Sequence, residues 1–171
     1  LLLIVIIQQP EPYSKDEIIG KASMSQYENQ YNLRSEVYDA FIQMQSAALK
    51  DGIHIKIVSS YRSFEHQKRI WTRKYNKFIS QGMIPQEAID KIIEYSTIPG
   101  TSRHHWGTDI DIIEGSQPKP KDVLLAKHFE EGGIYNDLKK WLDEHAQEYG
   151  FCIVYTDLPE RKGFKYEPWH F

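Results

Sequence analysis

The order of apolar and polar positions divides the chain into helical and extended segments. Between Ser35 and Lys50, Val37, Phe41, Met44 and Ala48 recur at helical spacing and Gly52 follows as a stop, so a helix is predicted there. Ile53, Ile55 and Ile57 alternate with His54 and Lys56, the period of a half-buried strand over 53–58. Ser63 has the side chain of an N-cap for a helix reaching about Ile79. Pro85 opens another, to about Tyr95, with Gln86 and Glu87 in its first turn. Pro99 and Gly100 mark 97–106 as loop. Over 108–113, Ile110 and Ile112 share one face of a strand, and Asp109 and Asp111 share the other. A helix is expected over 122–131. A second is expected over 135–149, with Leu138, Trp141, Leu142 and His145 as its stripe and Gly150 as its stop. Strands are expected at 151–155 and at 164–166. Helices and short strands alternate irregularly, with hairpins or long excursions between strands. That order predicts an α+β domain with a mainly antiparallel sheet and flanking helices, not a doubly wound parallel sheet.

Composition narrows the class. A chain of 171 residues fits one domain and is long enough to bury a core without disulfides. With 40% hydrophobic and 26% charged residues it is not a disordered chain. The net charge of -3 leaves no strong basic field, so nucleic acid is not expected as a partner. Cys152 is the single cysteine, which excludes an intramolecular disulfide and a Cys-rich zinc module; within Phe151-Cys152-Ile153-Val154 it reads as a small buried hydrophobe. Leu1 to Ile7 is an uncharged apolar run, too short for the about 20 residues of a membrane-spanning helix. It reads either as the remnant of a signal or membrane anchor, or as a buried edge strand. Pro10 and Pro12 mark a linker, so the expected division is an N-terminal segment over 1–12 and a single domain over 13–171. The first residue is not Met, so the natural chain is expected to begin earlier.

The candidate chemistry lies in two dense clusters. One is Ser102-Arg103-His104-His105-Trp106-Gly107-Thr108-Asp109-Ile110-Asp111; the other is Tyr166-Glu167-Pro168-Trp169-His170. A catalytic zinc site needs three protein ligands, an open position for water, and a carboxylate that is not a ligand to relay the water's proton. His104, Asp111 and His170 can be the ligands and Glu167 the base. Taken singly, each also has an ordinary reading as a packed histidine or a solvated acid, so spacing alone leaves both open.

The motifs carry a resemblance. Ser102-x-His104-x-x-Gly107-x-x-x-Asp111, followed by Glu167-Pro168-Trp169-His170, resembles the VanY-type D-alanyl-D-alanine carboxypeptidase family. These are zinc peptidases related to the VanX-type D-Ala-D-Ala dipeptidases. Upstream, Ser59-Ser60-Tyr61-Arg62-Ser63 with Gln67 four residues on is similar to the family's Ser-Gly-Tyr-Arg-Ser segment, and the three motifs occur in the family's order. The resemblance implies a hedgehog/D-Ala-D-Ala-peptidase-like fold, Zn2+ held by His104, Asp111 and His170, and Glu167 as general base and acid. It implies Arg62 near the substrate carbonyl or terminal carboxylate, where a guanidinium offers paired, charge-assisted hydrogen bonds. It places Ser102 near the substrate or against the first ligand, Gln67 in contact with substrate, and Tyr61 and Trp169 around the pocket.

The sequence departs from the family at several points. Asp109 replaces a small residue and shares a strand face with Asp111, so it is expected to hydrogen-bond a ligand or substrate, or to compete as a ligand. Ser60 stands where the family has glycine and carries strain if that position needs positive φ. His105 is an alternative ligand beside His104, and the family usually continues beyond the position of Phe171. The implied activity is a zinc D,D-carboxypeptidase that trims terminal D-Ala from peptidoglycan stem peptides in the cell envelope, outside the cytoplasm. Residues 72–101 are expected to set selectivity. The same scaffold serves dipeptidases and peptidoglycan endopeptidases. A rival of another class is a catalytically inactive zinc-containing wall- or protein-binding module, like the hedgehog signalling domain.

Overall fold

The computed structural model describes residues 13–23 and 29–171. The expectations for the apolar run and linker over 1–12 lie outside them. Helix α1 spans Lys15–Ile18, α2 Ser35–Lys50, α3 Phe64–Ser80, α4 Pro85–Ile93 and α5 Asn136–His145, while β1 spans Ile55–Ser59 and β2 Asp111–Glu114.

The core forms on α2 and the two strands. The predicted stripe buries Phe41, Met44 and Ala48 of α2, and these pack with Ile55, Ile57, Ile110, Ile112, Leu138 and Leu142. Strand β1 alternates as its sequence does, with Ile55 and Ile57 inside and Lys56 and Val58 outside. It pairs antiparallel with β2, Ile57 opposite Ile112, with an irregularity before Ser59. β2 is buried along its whole length. Its other edge is covered by the end of the chain: Ile110 and Phe171 exchange backbone hydrogen bonds of 2.8 and 3.0 Å, and the Ile112 amide donates to the Trp169 carbonyl at 3.0 Å. Covering that edge leaves no open ladder beside the buried acids.

The caps behave as their chemistry requires. Ser63 accepts from the His66 amide and starts α3, and Pro85 occupies the first position of α4. A 3-10 turn over Arg103–Trp106, inside the expected loop, stops at Gly107 with φ 70°.

Several expectations are corrected. The segment 122–131 is no helix and holds only a 3-10 turn, Ala126–His128. Its consecutive apolar residues Val123, Leu124 and Leu125 cannot share one helical face. Leu124 and Leu125 instead face a cleft, while Phe129 enters the core. The stretches 151–155 and 164–166 are not strands. Their backbone bonds are scattered and form no ladder: Phe151 N–H to the Ala146 carbonyl and Val154 N–H to the His170 carbonyl, each 3.0 Å, Lys165 N–H to the Glu94 carbonyl at 2.9 Å, and Glu167 N–H to the Tyr155 carbonyl at 3.0 Å. Cys152 is exposed, because this stretch lacks the pleat that would alternate it inward. The α-helical part of 135–149 ends at His145 and tightens to a 3-10 turn over Ala146–Tyr149. Helix α4 stops two residues before Tyr95, at Ile93. Ser60 is unstrained, since Asn32 is the one non-glycine described residue with positive φ.

Phe41 is fully enclosed while Leu49 on the same helix is 55% exposed. Phe41→Ala is expected to cost about 3–5 kcal/mol of stability and Leu49→Ala within about 0.5 kcal/mol, read by urea unfolding.

Candidate active site

Two stretches far apart in sequence, 103–114 and 167–170, meet at a cleft of about 470 Å³. The 3-10 turn supplies His104, β2 supplies Asp111 at its first residue, and the docked chain end supplies Glu167 and His170. All four are buried. His104 Nε2 lies 3.3 Å from Asp111 Oδ2, and His170 Nδ1 lies 3.6 Å from Asp111 Oδ1. Donor atoms of the three residues all fall within 4.8 Å of one another.

These spacings fit a metal. Two ligands each about 2.05 Å from a tetrahedral zinc lie about 3.3 Å apart. Asp111 Oδ1 is buried without a hydrogen-bond partner, as a ligand oxygen would be. His170 is also held correctly: its Nε2 meets Asp109 Oδ1 at 3.2 Å, leaving Nδ1 toward Asp111. A carboxylate behind a histidine in this way fixes the ring and raises its basicity as a ligand. Glu167 Oε2 stands 3.1 Å from His170 Nδ1, as a carboxylate beside the cluster.

Asp109 is therefore neither a cleft residue nor one of the three convergent donors. Its carboxylate takes hydrogen bonds from Arg103 Nε and Thr108 Oγ1, both 2.6 Å, in addition to His170. Burial opposes its charge, but the His170, Thr108 and Arg103 bonds hold it at about 2. Arg103 stacks over Trp106, 4.8 Å from the ring centroid, so a chain of contacts runs from Trp106 through Arg103 and Asp109 to His170. Burial likewise disfavours the Asp111 charge, and His104, His170 and Arg62 keep its carboxyl below the usual range.

His105 is not a competitor to His104. Its Nε2 accepts from the Gly100 amide at 3.1 Å, and its Nδ1 meets the Arg62 carbonyl at 2.5 Å, so both nitrogens are engaged away from the cluster. Gly20 lies against this ring, with φ 75°; a Cβ there would come within 2.5 Å of His105 Nδ1.

Arg62 lines the cleft. Its backbone amide donates to the His104 carbonyl at 3.0 Å. Its guanidinium donates to Gln67 Oε1 at 2.8 Å and Ser59 Oγ at 2.9 Å, and stands 3.8 Å from Asp111 Oδ2. Gln67 is fully buried and does not reach the cleft; its Nε2 donates to the Thr97 carbonyl at 2.7 Å, so it positions Arg62. Tyr61 is half-buried outside the cleft wall, whereas Ser102 and Trp169 line it. From the 72–101 stretch, Arg73, Lys74, Tyr95, Ser96 and Thr97 also line it.

Tyr155 and Lys74 are lining residues that sequence reasoning missed. Tyr155 meets the His170 ring edge-on at 4.9 Å, and burial, with Glu167 nearby, pushes its hydroxyl up to about 12, so it remains a donor at neutral pH. Its one sequence signal was an aromatic at the end of an apolar run. Lys74 falls inside the 72–101 stretch expected to set selectivity but was not singled out, because its helix reads as a solvated charged face.

The fold and the cluster define a class: an α+β domain in which two histidines and an aspartate converge, beside a spare carboxylate, on the floor of a cleft. The chain belongs to the VanY family, described as D-alanyl-D-alanine carboxypeptidase, which it matches over residues 30–171. A D-alanyl-D-alanine carboxypeptidase of Enterococcus faecalis is 26% identical over 174 residues, covering 99% of this chain and 57% of that protein. The chain thus spans little more than half of that relative's length. The crystal structure of a mutant vancomycin resistance D,D-pentapeptidase VanY, from a VanB-type cassette and in complex with Zn(II), matches with a TM-score of 0.65 and 26% identity. That match covers 81% of this chain and 70% of that one. The LdcB LD-carboxypeptidase structure matches with a TM-score of 0.63 and 29% identity, covering 84% and 60%. The α+β architecture expected from the sequence is the one these structures share.

Two outcomes follow from the ring held by Asp109. Asp109→Asn should weaken zinc affinity by about 10–100-fold, read by competition with a chromophoric chelator. In the metal-free protein burial opposes the His170 charge, but hydrogen bonds to Asp109 and Glu167 outweigh it and raise the pKa from 6.5 to about 9. The folded state thus holds this proton more tightly than the unfolded chain. Its stabilisation is full below about pH 6.5 and is lost as pH rises through about 9. Urea midpoints of chelator-treated protein should fall across that window, and the fall should shrink in His170→Gln.

Proposed function

We propose that this chain is a zinc-dependent D,D-carboxypeptidase domain that removes the terminal D-Ala from peptidoglycan stem peptides, and that it acts outside the cytoplasm. The observation that carries this reading is the buried His104, Asp111 and His170 cluster, with Glu167 beside it, at the floor of a cleft also lined by Arg62. Family membership and likeness to a VanY structure with Zn(II) support it. Among the described residues no helix is long and apolar enough to cross a membrane, and the location follows from the substrate.

Zinc, when bound, supplies Lewis acidity and lowers the pKa of its water toward neutrality. The chain's own residues do the rest. Glu167 Oε2 receives the attacking water's proton and returns it to the amine of the departing D-Ala. Arg62, fixed by Gln67 and Ser59, aims its remaining N–H groups at the oxygen that gains charge; it is held before reaction begins, so it stabilises the transition state without reorganising. Trp169 and Tyr155 wall the site and limit water.

The likeness to the LdcB LD-carboxypeptidase favours a second reading in which the penultimate residue is an L-centre. Both remove one C-terminal D-Ala, and they differ in the residue preceding it. Mass spectrometry of a stem pentapeptide ending in D-Ala-D-Ala and of the matching tetrapeptide separates them. Loss of one alanine from the pentapeptide, abolished by chelator and by Glu167→Ala, is the expected result. Loss from the tetrapeptide alone would favour the second reading. If both peptides, D-Ala-D-Ala and cross-linked wall all survive, the chain is a binding module and the proposal fails.

A further inference from the structure

The cleft carries more positive charge than its own acids answer. Arg62, Arg73, Lys74 and Arg103 line it, with Asp111 and Glu167 as its carboxylates. Arg103 is paired with Asp109, and Arg62 stands by Asp111. Lys74 makes no ion pair with any carboxylate of the described residues. Its Nζ donates to Ser96 Oγ at 2.5 Å.

Lys74 is not a loose surface lysine. Gln67, Trp71 and Lys74 follow one another at i, i+4 and i+7 on α3, so they share a face. Gln67 Nε2 and Trp71 Nε1 both donate to the Thr97 carbonyl, at 2.7 and 2.6 Å, and Lys74 takes the next position against Ser96. These contacts zip α3 to the 96–97 segment and hold the ammonium at the cleft wall. Burial pushes the Lys74 pKa down, and attraction to Glu167 offsets this only in part. A partly buried cation without a counter-ion is costly, and an anionic ligand relieves that cost.

We infer that Lys74, with the Ser96 hydroxyl beside it, anchors the free C-terminal carboxylate of the substrate and makes the site an exopeptidase. The inference rests on the carboxypeptidase reading above and divides the work of the two cations. Arg62 lies at the cluster, where the scissile carbonyl must sit, and so serves that oxygen. The terminal carboxylate lies one residue further along the peptide. Of the two lining cations that pair with no carboxylate among the described residues, Arg73 is exposed and Lys74 is half-buried and held against Ser96, so Lys74 is the one fixed to receive it. An internal peptide bond would bring an uncharged amide to this ammonium and leave it unanswered, which disfavours cleavage within longer chains.

The rival role for Lys74 is to act on Glu167 through its charge. Calorimetry on zinc-loaded Glu167→Gln protein, with a stem pentapeptide as free acid and as C-terminal amide, separates the two. With Lys74 present the acid should bind about 10-fold or more tightly than the amide. Lys74→Met should erase that preference while changing amide binding less than about 2-fold, and Lys74→Arg should keep it. In protein with Glu167 intact, Lys74→Met should raise KM for the free acid without moving the acid limb of the pH profile. Equal weakening of acid and amide, no preference with Lys74 present, or a preference that survives Lys74→Met would each overturn the inference. So would a shifted acid limb with the preference intact. An uncut pentapeptide alongside a Lys74-dependent preference would sink the hydrolytic reading alone.

Discussion

The amides of Ile110 and Phe171 each donate to the other's carbonyl, and this pairing of the chain end with the strand at the site carries the rest of the structure. It brings His170 across from Asp111 as an isolated antiparallel bridge. A slip of one residue would turn His170 to the opposite face, toward the apolar core. The register is fixed from both sides by burial, since Ile110, Ile112, Trp169 and Phe171 are all enclosed. Hydrophobic packing therefore sets the geometry of a polar site that local hydrogen bonding alone could not hold.

A second set of contacts orients what the first brings together. Arg103, Asp109 and His170 form a chain of charge-assisted hydrogen bonds that runs from the surface to the buried Asp109 and His170, while Gln67 and Ser59 hold Arg62. The two sets meet at the backbone, where the Arg62 amide reaches the His104 carbonyl. His105, beside the first candidate ligand, locks this loop, with one nitrogen on Gly100 and the other on Arg62. Much of the site lies outside regular helix and strand, and these hydrogen bonds hold it in place of a ladder.

Helices were legible where one face carried a regular stripe. α2 is read residue for residue from its spacing and its following glycine, and α3 from the Ser63 cap. Extended segments were legible only where a partner strand enforces the pleat, as in β1. The stretch around Cys152 has apolar composition but no ladder, so its residues do not alternate as a strand's would, and Cys152 ends outside. The cluster residues were legible as ordered motifs, and their convergence was implied by resemblance. Asp109 was expected to bond a ligand or substrate because it shares a strand face with Asp111, and it lies against the His170 ring. The proposed roles of Gln67 and Lys74 depend on partners distant in sequence, Thr97 and Ser96, and no local pattern encodes those.

The proposed activity requires that His104, Asp111 and His170 form one metal centre. Anomalous diffraction at the zinc edge from a zinc-soaked crystal tests it most directly. One strong peak about 2.0–2.2 Å from Asp111 oxygen and from one nitrogen each of His104 and His170 is the predicted result. A peak ligated by Asp109 or His105, or none at the cluster while zinc binds elsewhere, would contradict it.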